Sequence, residues 1–380
     1  MKKSLIALAA LAVVSAASAQ SSLTIDGYID RGFATTNNTN NTKDAKAVGS
    51  NAGTTTVGIK GSEDLGGGLK AGFSINTDWN EAAGQTQDAL AQTDVPAGSS
   101  GFGNSQSFLE LSSATYGSLR LGSPNNEILG ATTSVASPAF STGIGSAYSS
   151  SFSVTNGYGT GTTGAGNIIN AQATITGTAN AGQRGIRQAN TIKYISPNIA
   201  GFSAALGVVQ KNSTAGTADI VGVTDMSVSY ANGPVQVVYA AIQYKVGANV
   251  PLNGSLAANG ESKSSILGAS YQVLPNVKLH AGLSKSTSTN TAVNYDSTGT
   301  QFGVTYDVTP VIVVMAQMAK VNDKAASNVD RKMVGLGADY KFSKTTRAYV
   351  RYDSIDYKSN GTAESGSEVK RTAFGVSKAF

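Results

Sequence analysis

The sequence contains no cysteine, one histidine and one tryptophan in 380 residues. No thiolate nucleophile, disulfide framework or Cys/His zinc site can be built from that inventory. The single His280 has no G-x-S-x-G element near it, so neither hydrolytic nor metal chemistry finds a constellation of residues to work with. Neither a metal nor an organic cofactor is expected. Charged residues make up 13% of the chain and prolines number 8, a profile unlike that of a soluble enzyme. Regular runs of Val, Ile, Leu and Tyr are equally unlike disorder.

Long apolar runs are also missing. The longest, Leu5 to Val14, falls well short of the roughly 20 residues that a helical bilayer span needs. It follows Lys2 and Lys3 and precedes Ala17-Ser18-Ala19, which together form the basic, apolar and small-residue parts of a secretory signal. Residues 1–19 are therefore expected to be cleaved, leaving 20–380 as one exported domain. The formal charge of +5 loses the two lysines and becomes +3, since that segment carries no acid. Such a charge does not suggest a nucleic-acid partner.

What the chain has in quantity is period-two alternation. From Ser21 to the C-terminus, runs of about ten residues place apolar side chains on one face and polar ones on the other. Leu23, Ile25, Ile29 and Phe33 oppose Thr24, Asp26, Tyr28 and Asp30, and Leu69, Ala71, Phe73 and Ile75 oppose Lys70, Gly72, Ser74 and Asn76. Tight turns, such as Glu63 to Gly68, Asn232-Gly233-Pro234 and Leu274-Pro275-Asn276, alternate with longer Asn/Thr/Ser/Gly-rich connections. Those longer connections include Thr36 to Gly53, Glu81 to Asn104, Gly247 to Gly260, Ser288 to Ser297, Asn322 to Asp330 and Lys358 to Gly366. An exported chain without helical spans satisfies its backbone in a bilayer only as a closed barrel. Short turns on one side and long loops on the other match an outer-membrane barrel. The runs number about sixteen. A soluble sandwich or solenoid would also alternate, but would not be expected to gather its long loops on one side.

Charge identifies the faces, because Lys or Arg facing lipid at midplane costs about 2–4 kcal/mol. Lys60, Lys70, Arg120, Lys193, Arg347 and Arg351 all fall opposite their strands' apolar sets, as do Asp26, Asp30, Glu110 and Asp339. A lumen carrying both signs describes a water-filled channel, with some of these charges paired across the wall. Arg31 is the exception, outward by parity with Ile29 and Phe33. Tyr194, Tyr230, Tyr271, Tyr306, Tyr340 and Tyr352 are read as an aromatic girdle near strand ends. The final strand ends on an outward aromatic, Phe380.

Several stretches resemble the Gram-negative general porins of the β-proteobacterial type over nearly the whole exported part. They are Ser22 to Asp30, Gly61-Ser62-Glu63-Asp64-Leu65-Gly66-Gly67-Gly68-Leu69-Lys70-Ala71-Gly72-Phe73, Tyr116 to Gly122, Arg187 to Phe202 and Tyr230 to Pro234. The resemblance implies a sixteen-stranded homotrimeric barrel in the outer membrane whose third external loop folds inward as a constriction. It also implies that Phe380 is read by the barrel-assembly machinery. By position the loop is Pro124 to about Gly185, with Glu127 its only acid and Arg184 its only base. Family members often carry arginine where this chain has Thr56, Ser105 and Ser123, so only a weak anion preference is expected. It would rest on Lys60, Lys70, Arg120, Arg187, Lys193, Arg347 and Arg351, with Glu110 on the wall and Glu127 on the loop.

The function implied is passive diffusion of ions and small hydrophilic solutes. Outer-membrane lipid, lipopolysaccharide and further copies of the chain are the expected partners. Two readings stay open beside it. One is a substrate-specific channel using Phe140, Tyr148, Phe152 and Tyr158 as a stacking surface, although these aromatics serve equally well as loop anchors. The other is a barrel that acts chiefly as a surface receptor or adhesin.

Overall fold

A computed structural model describes residues 21–38, 45–78, 102–147, 187, 190–209, 222–245, 256–291, 296–324, 329–359 and 362–380. The segment assigned to the signal, the later part of the long loop with Arg184, and Tyr148, Phe152 and Tyr158 lie outside the described residues.

Alternation becomes strand through the described chain, except in the inward loop after Ser123. The first group is β1 (Ser22–Asn38), β2 (Ala45–Gly49), β3 (Thr56–Gly66), β4 (Leu69–Asp78), β5 (Ser107–Ser113) and β6 (Gly117–Ser123). After the long loop come β7 (Thr191–Ile195), β8 (Phe202–Val209), β9 (Gly222–Asn232), β10 (Val235–Lys245) and β11 (Leu256–Leu274). The last six are β12 (Val277–Thr291), β13 (Asp296–Asp307), β14 (Ile312–Asp323), β15 (Val329–Lys341), β16 (Thr346–Ser359) and β17 (Thr362–Ala379).

Every neighbour is antiparallel, and β1 pairs with β17 from Tyr28↔Ala379 to Asn38↔Val369, closing the sheet. Gly27 and Phe380 seal that seam by exchanging backbone bonds of 3.1 and 3.0 Å. The segments β2 and β3 both lie on β1, at Gly32–Thr36 and Ser22–Tyr28 respectively, so they form a single interrupted stave. The barrel therefore has sixteen staves and no free edge, which is the condition for spanning a bilayer with strands. Among the described residues no helix is long and apolar enough to cross a membrane.

The tight turns all lie at one rim. Gly66, Gly67 and Gly68 take φ of +82°, +62° and +79°, a left-handed run that L side chains resist, which is why that turn is glycine throughout. At the opposite rim the strands run further than alternation suggests. The expected connection Thr36–Gly53 contains β2, β11 begins at Leu256, β12 continues to Thr291 and β17 begins at Thr362. Backbone pairing there continues beyond the alternating runs, as in Phe33↔Val48, Leu256↔Thr291 and Ser359↔Thr362.

The outward face holds Leu23, Ile25, Leu109, Leu121, Leu267, Leu283, Met318 and Val350, all exposed. Tyr194, Tyr271, Tyr306 and Tyr340 are outward near the short-turn rim, as a girdle requires. Tyr352 does not belong with them, because it sits mid-strand in β16. Arg31 is outward by parity, and its guanidinium donates to the hydroxyls of Thr55 at 2.9 Å and Ser50 at 3.3 Å.

Candidate pore constriction

The chain leaves β6 at the long-loop side and turns into the lumen. Residues Glu127–Gly130 form a short helix, α1, continued by a π-helical turn over Ala131–Ala136. The turn bonds Thr132 Oγ1 back to the Ile128 carbonyl at 2.7 Å and Thr133 Oγ1 to that of Leu129 at 2.8 Å, a pattern that bends helices. Ile128, Ala131 and Val135 repeat at helical spacing and are buried. They pack on an apolar strip of the inner wall that includes Val238, Ala240 and Ile242 of β10 and Ile266 of β11.

Polar contacts fix the course of the loop. At its start, Glu127 N–H donates to Asp225 of β9 at 2.9 Å, and Glu127 accepts from Lys193 of β7 at 2.8 Å and from Ser227 at 2.6 Å. Halfway along, His280 Nδ1 lies 3.1 Å from the Ala136 carbonyl, and Ser137 donates to Gln317 of β14 at 2.7 Å. At its tip, Gly145 N–H donates to Asp353 of β16 at 2.9 Å and Ile144 N–H to the Asn51 carbonyl at 2.8 Å. Close approach needs bare backbone on the wall, because a Cβ on Gly335 would stand 2.6 Å from Gly145 Cα.

The tip rests on residues 50–55, the interruption between β2 and β3. Asp30 Oδ2 accepts the N–H groups of Asn51, Ala52 and Gly53 at 2.7, 2.6 and 3.1 Å, while Oδ1 accepts Tyr349 Oη–H at 2.6 Å. A single buried carboxylate thus folds the bulge inward and ties it to β16.

Between loop and wall an opening of about 350 Å³ remains, lined by Leu129, Ser141 and Thr142 on one side and by Tyr28, Thr54, Asp78, Arg187 and Arg347 on the other. Arg347 donates to Asp339 at 2.8 Å, Tyr28 Oη at 3.1 Å and Ser377 at 3.1 Å, yet its side chain keeps 34% exposure. Arg187 binds Asn125 at 2.7 Å and Asp78 at 3.3 Å. A second opening of about 360 Å³ follows the β3–β6 wall past Lys60, Glu110 and Arg120. There Lys60 pairs with Asp26 and Arg120 with Glu110, and the Arg120 guanidinium lies 4.7 Å from the Phe108 ring centre.

The eight residues expected to line the lumen do not share one environment. Arg347, Arg187, Lys60, Arg120 and Glu110 border the two openings. Lys70 shares inward parity with Gly72 and Ser74 but sits exposed beside the short-turn rim, away from the constriction. Lys193 and Arg351 point inward and are covered, each 1% exposed. Lys193 is clamped between Glu127 and Asp225, and Arg351 lies against Phe140 of the loop while pairing with Asp339 at 2.7 Å. The expectation that these two face the water path is corrected, because the loop lies over them. Phe140 is buried against Val313 and Met315 and acts as a loop anchor.

The sequence reading missed Asp78, Asp225, Asp353 and Arg371. Parity with Arg351 would have placed Asp353 inward, where it binds Arg371 with both oxygens, 2.8 Å for the longer contact, at zero exposure for each residue. The helical spacing of Ile128, Ala131 and Val135 was equally readable.

A family model described as Gram-negative porin matches residues 7–360. The chain belongs to the Gram-negative porin family. Outer membrane porin protein 32 of Delftia acidovorans is 33% identical over 360 residues, spanning 92% of this chain and 88% of the relative. The major outer membrane protein P.IB of Neisseria gonorrhoeae is 25% identical, over 92% of each chain. Among solved structures, an anion-selective porin from Comamonas acidovorans superposes with a TM-score of 0.71 at 25% identity, covering 95% of this chain and all of that one. This porin is thus a β-barrel of the outer membrane that forms a passive channel.

Proposed function

We propose that this porin is a general diffusion channel with a weak anion preference, set where Arg187 and Arg347 face Asp78 across from Ser141 and Thr142. The observation that carries this reading is the charge balance of that opening. Two guanidinium groups and one carboxylate line it, while the acid paired with Arg347, Asp339, is only 4% exposed behind it. On the neighbouring wall Lys60 pairs with Asp26, Arg120 with Glu110 and Lys193 with Glu127, so those charges add little field to focus on passing ions. Reversal potential under a KCl gradient tests it: a modest anion-side shift is expected, and cation preference would refute it.

The same reading includes cleavage after residue 19, recognition of Phe380 by the barrel-assembly machinery, lipopolysaccharide around the outer-leaflet rim, and a homotrimer. A barrel strand needs about 9–11 residues to cross the bilayer, and β5, β6 and β7 have 7, 7 and 5. A wall that low calls for cover by a neighbouring subunit. A Vibrio cholerae outer-membrane protein of the same fold, OmpT, has been solved in a trimer form. Light scattering of the detergent-solubilised barrel should give three chains per particle. His280, the one histidine, is buried with Nδ1 against the Ala136 carbonyl, a setting that suits a loop support.

A further inference from the structure

On the wall away from the low strands, β11 and β12 run 19 and 15 residues and rise above the apolar band. Their outward face there holds a groove of about 430 Å³, bordered by Lys263 and Lys285, with Gln243, Ser265 and Thr287 between them and Met226 and Tyr239 below. The register places these groups together: Lys263 lies opposite Gln243 and Thr287, and Lys285 opposite Ser265. Lys263 is eight residues from Tyr271 of the girdle, a height of about 19 Å at a rise of about 3.3 Å per residue and a tilt near 45°. Its flexible stem carries the ammonium to the upper edge of the band, which is about 25 Å tall.

Glu261 accepts from Lys263 at 2.7 Å and lies 3.8 Å from Lys245. Lys285 has no acid within salt-bridge distance among the described residues. Two lysines therefore border the groove, and with Lys245 beside it they outnumber the nearby outward carboxylates Glu261 and Asp296, directly above exposed Met226, Leu267 and Leu283. A basic, hydroxyl-rich notch over a lipid-facing apolar surface complements an anionic headgroup that carries acyl chains.

We propose that this groove is a binding site for a phosphorylated, multiply acylated glycolipid of the outer leaflet, with its phosphates on Lys263 and Lys285 and its acyl chains over Met226, Leu267 and Leu283. The site deepens the lipopolysaccharide contact proposed above and rests on the long-loop rim facing outward.

The test is native mass spectrometry of the full assembled chain in mild detergent, titrated with diphosphorylated lipid A, its dephosphorylated form and inorganic phosphate. Comparison is with Lys263→Gln/Lys285→Gln and with Lys320→Gln/Lys332→Gln as the control pair on β14 and β15. Losing two charge-assisted contacts should weaken lipid A binding by about tenfold or more, leave the control pair unchanged, and abolish discrimination against the dephosphorylated lipid. Equal binding by the double variant, displacement of the lipid by inorganic phosphate, or chain-to-chain cross-links through Lys263 would each overturn the site. Planar-bilayer conductance of the same preparations separates the two claims. Normal conductance without lipid binding removes this site alone, whereas absent conductance removes the channel reading.

Discussion

The backbone N–H of Gly145 donates to Asp353 Oδ2 at 2.9 Å, joining the tip of the constriction loop to a wall strand 208 residues further along the chain. The same carboxylate binds Arg371 with both oxygens, and neither side chain is exposed. Asp353→Ala should remove the loop tether and break a buried ion pair, a loss of about 3–5 kcal/mol. The measurable results are a lower temperature for loss of the compact band on heat-modifiability gels and noisier open-channel current. An unchanged midpoint and quiet current would detach the loop from this contact.

Loop position also depends on an absent side chain. Gly335→Val places methyl groups where Gly145 now lies, and backbone cannot yield as a flexible side chain can. The variant is expected to form a barrel with altered conductance steps or to refold in reduced yield. Wild-type conductance together with wild-type yield would show that the loop does not rest there.

Selectivity should separate two arginines only four residues apart. Arg347 borders the opening with its side chain 34% exposed, whereas Arg351 is covered by Phe140. Arg347→Gln should move the reversal potential toward cations by several millivolts under a tenfold KCl gradient, since charge acts at the narrowest ring. Arg351→Gln should leave selectivity nearly unchanged and instead lower thermal stability, because Asp339 loses a buried partner. Equal shifts for the two would mean that Arg351 reaches the water path.

Much of this was legible in the sequence, and the boundary is physical. Facing a bilayer, a strand must be apolar every second residue, so Leu23, Ile25, Leu119 and Leu121 announce the barrel, its inward parity and the count of staves. Lys193 and Arg351 show where that reasoning stops. Parity fixes the face of a side chain, but not whether another segment covers it. The cover comes from residues 127–147, whose place against β10, β11 and β16 depends on contacts far apart in sequence. The Asp30 nest is hidden for the same reason, since its donors are backbone groups of residues 51–53, which carry no sequence signature.

The seam between β1 and β17 gives a further expectation. Phe380 exchanges two backbone bonds with Gly27 and presents its ring outward. Deleting Phe380 should reduce the amount of assembled barrel in the outer membrane several-fold while leaving detergent refolding of the isolated chain largely intact. Equal loss in both settings would assign the residue to barrel stability and not to assembly.

The claim on which all else depends is that ions pass between Thr142 of the loop and the wall at Arg347. The absence of native cysteine makes it directly measurable. Single-channel current through Thr142→Cys should fall in a discrete step when a charged methanethiosulfonate reagent is added, whereas Thr132→Cys, at a position buried against the wall, should be unaffected. A silent Thr142→Cys channel or a blocked Thr132→Cys channel would place the water path on the other side of the loop.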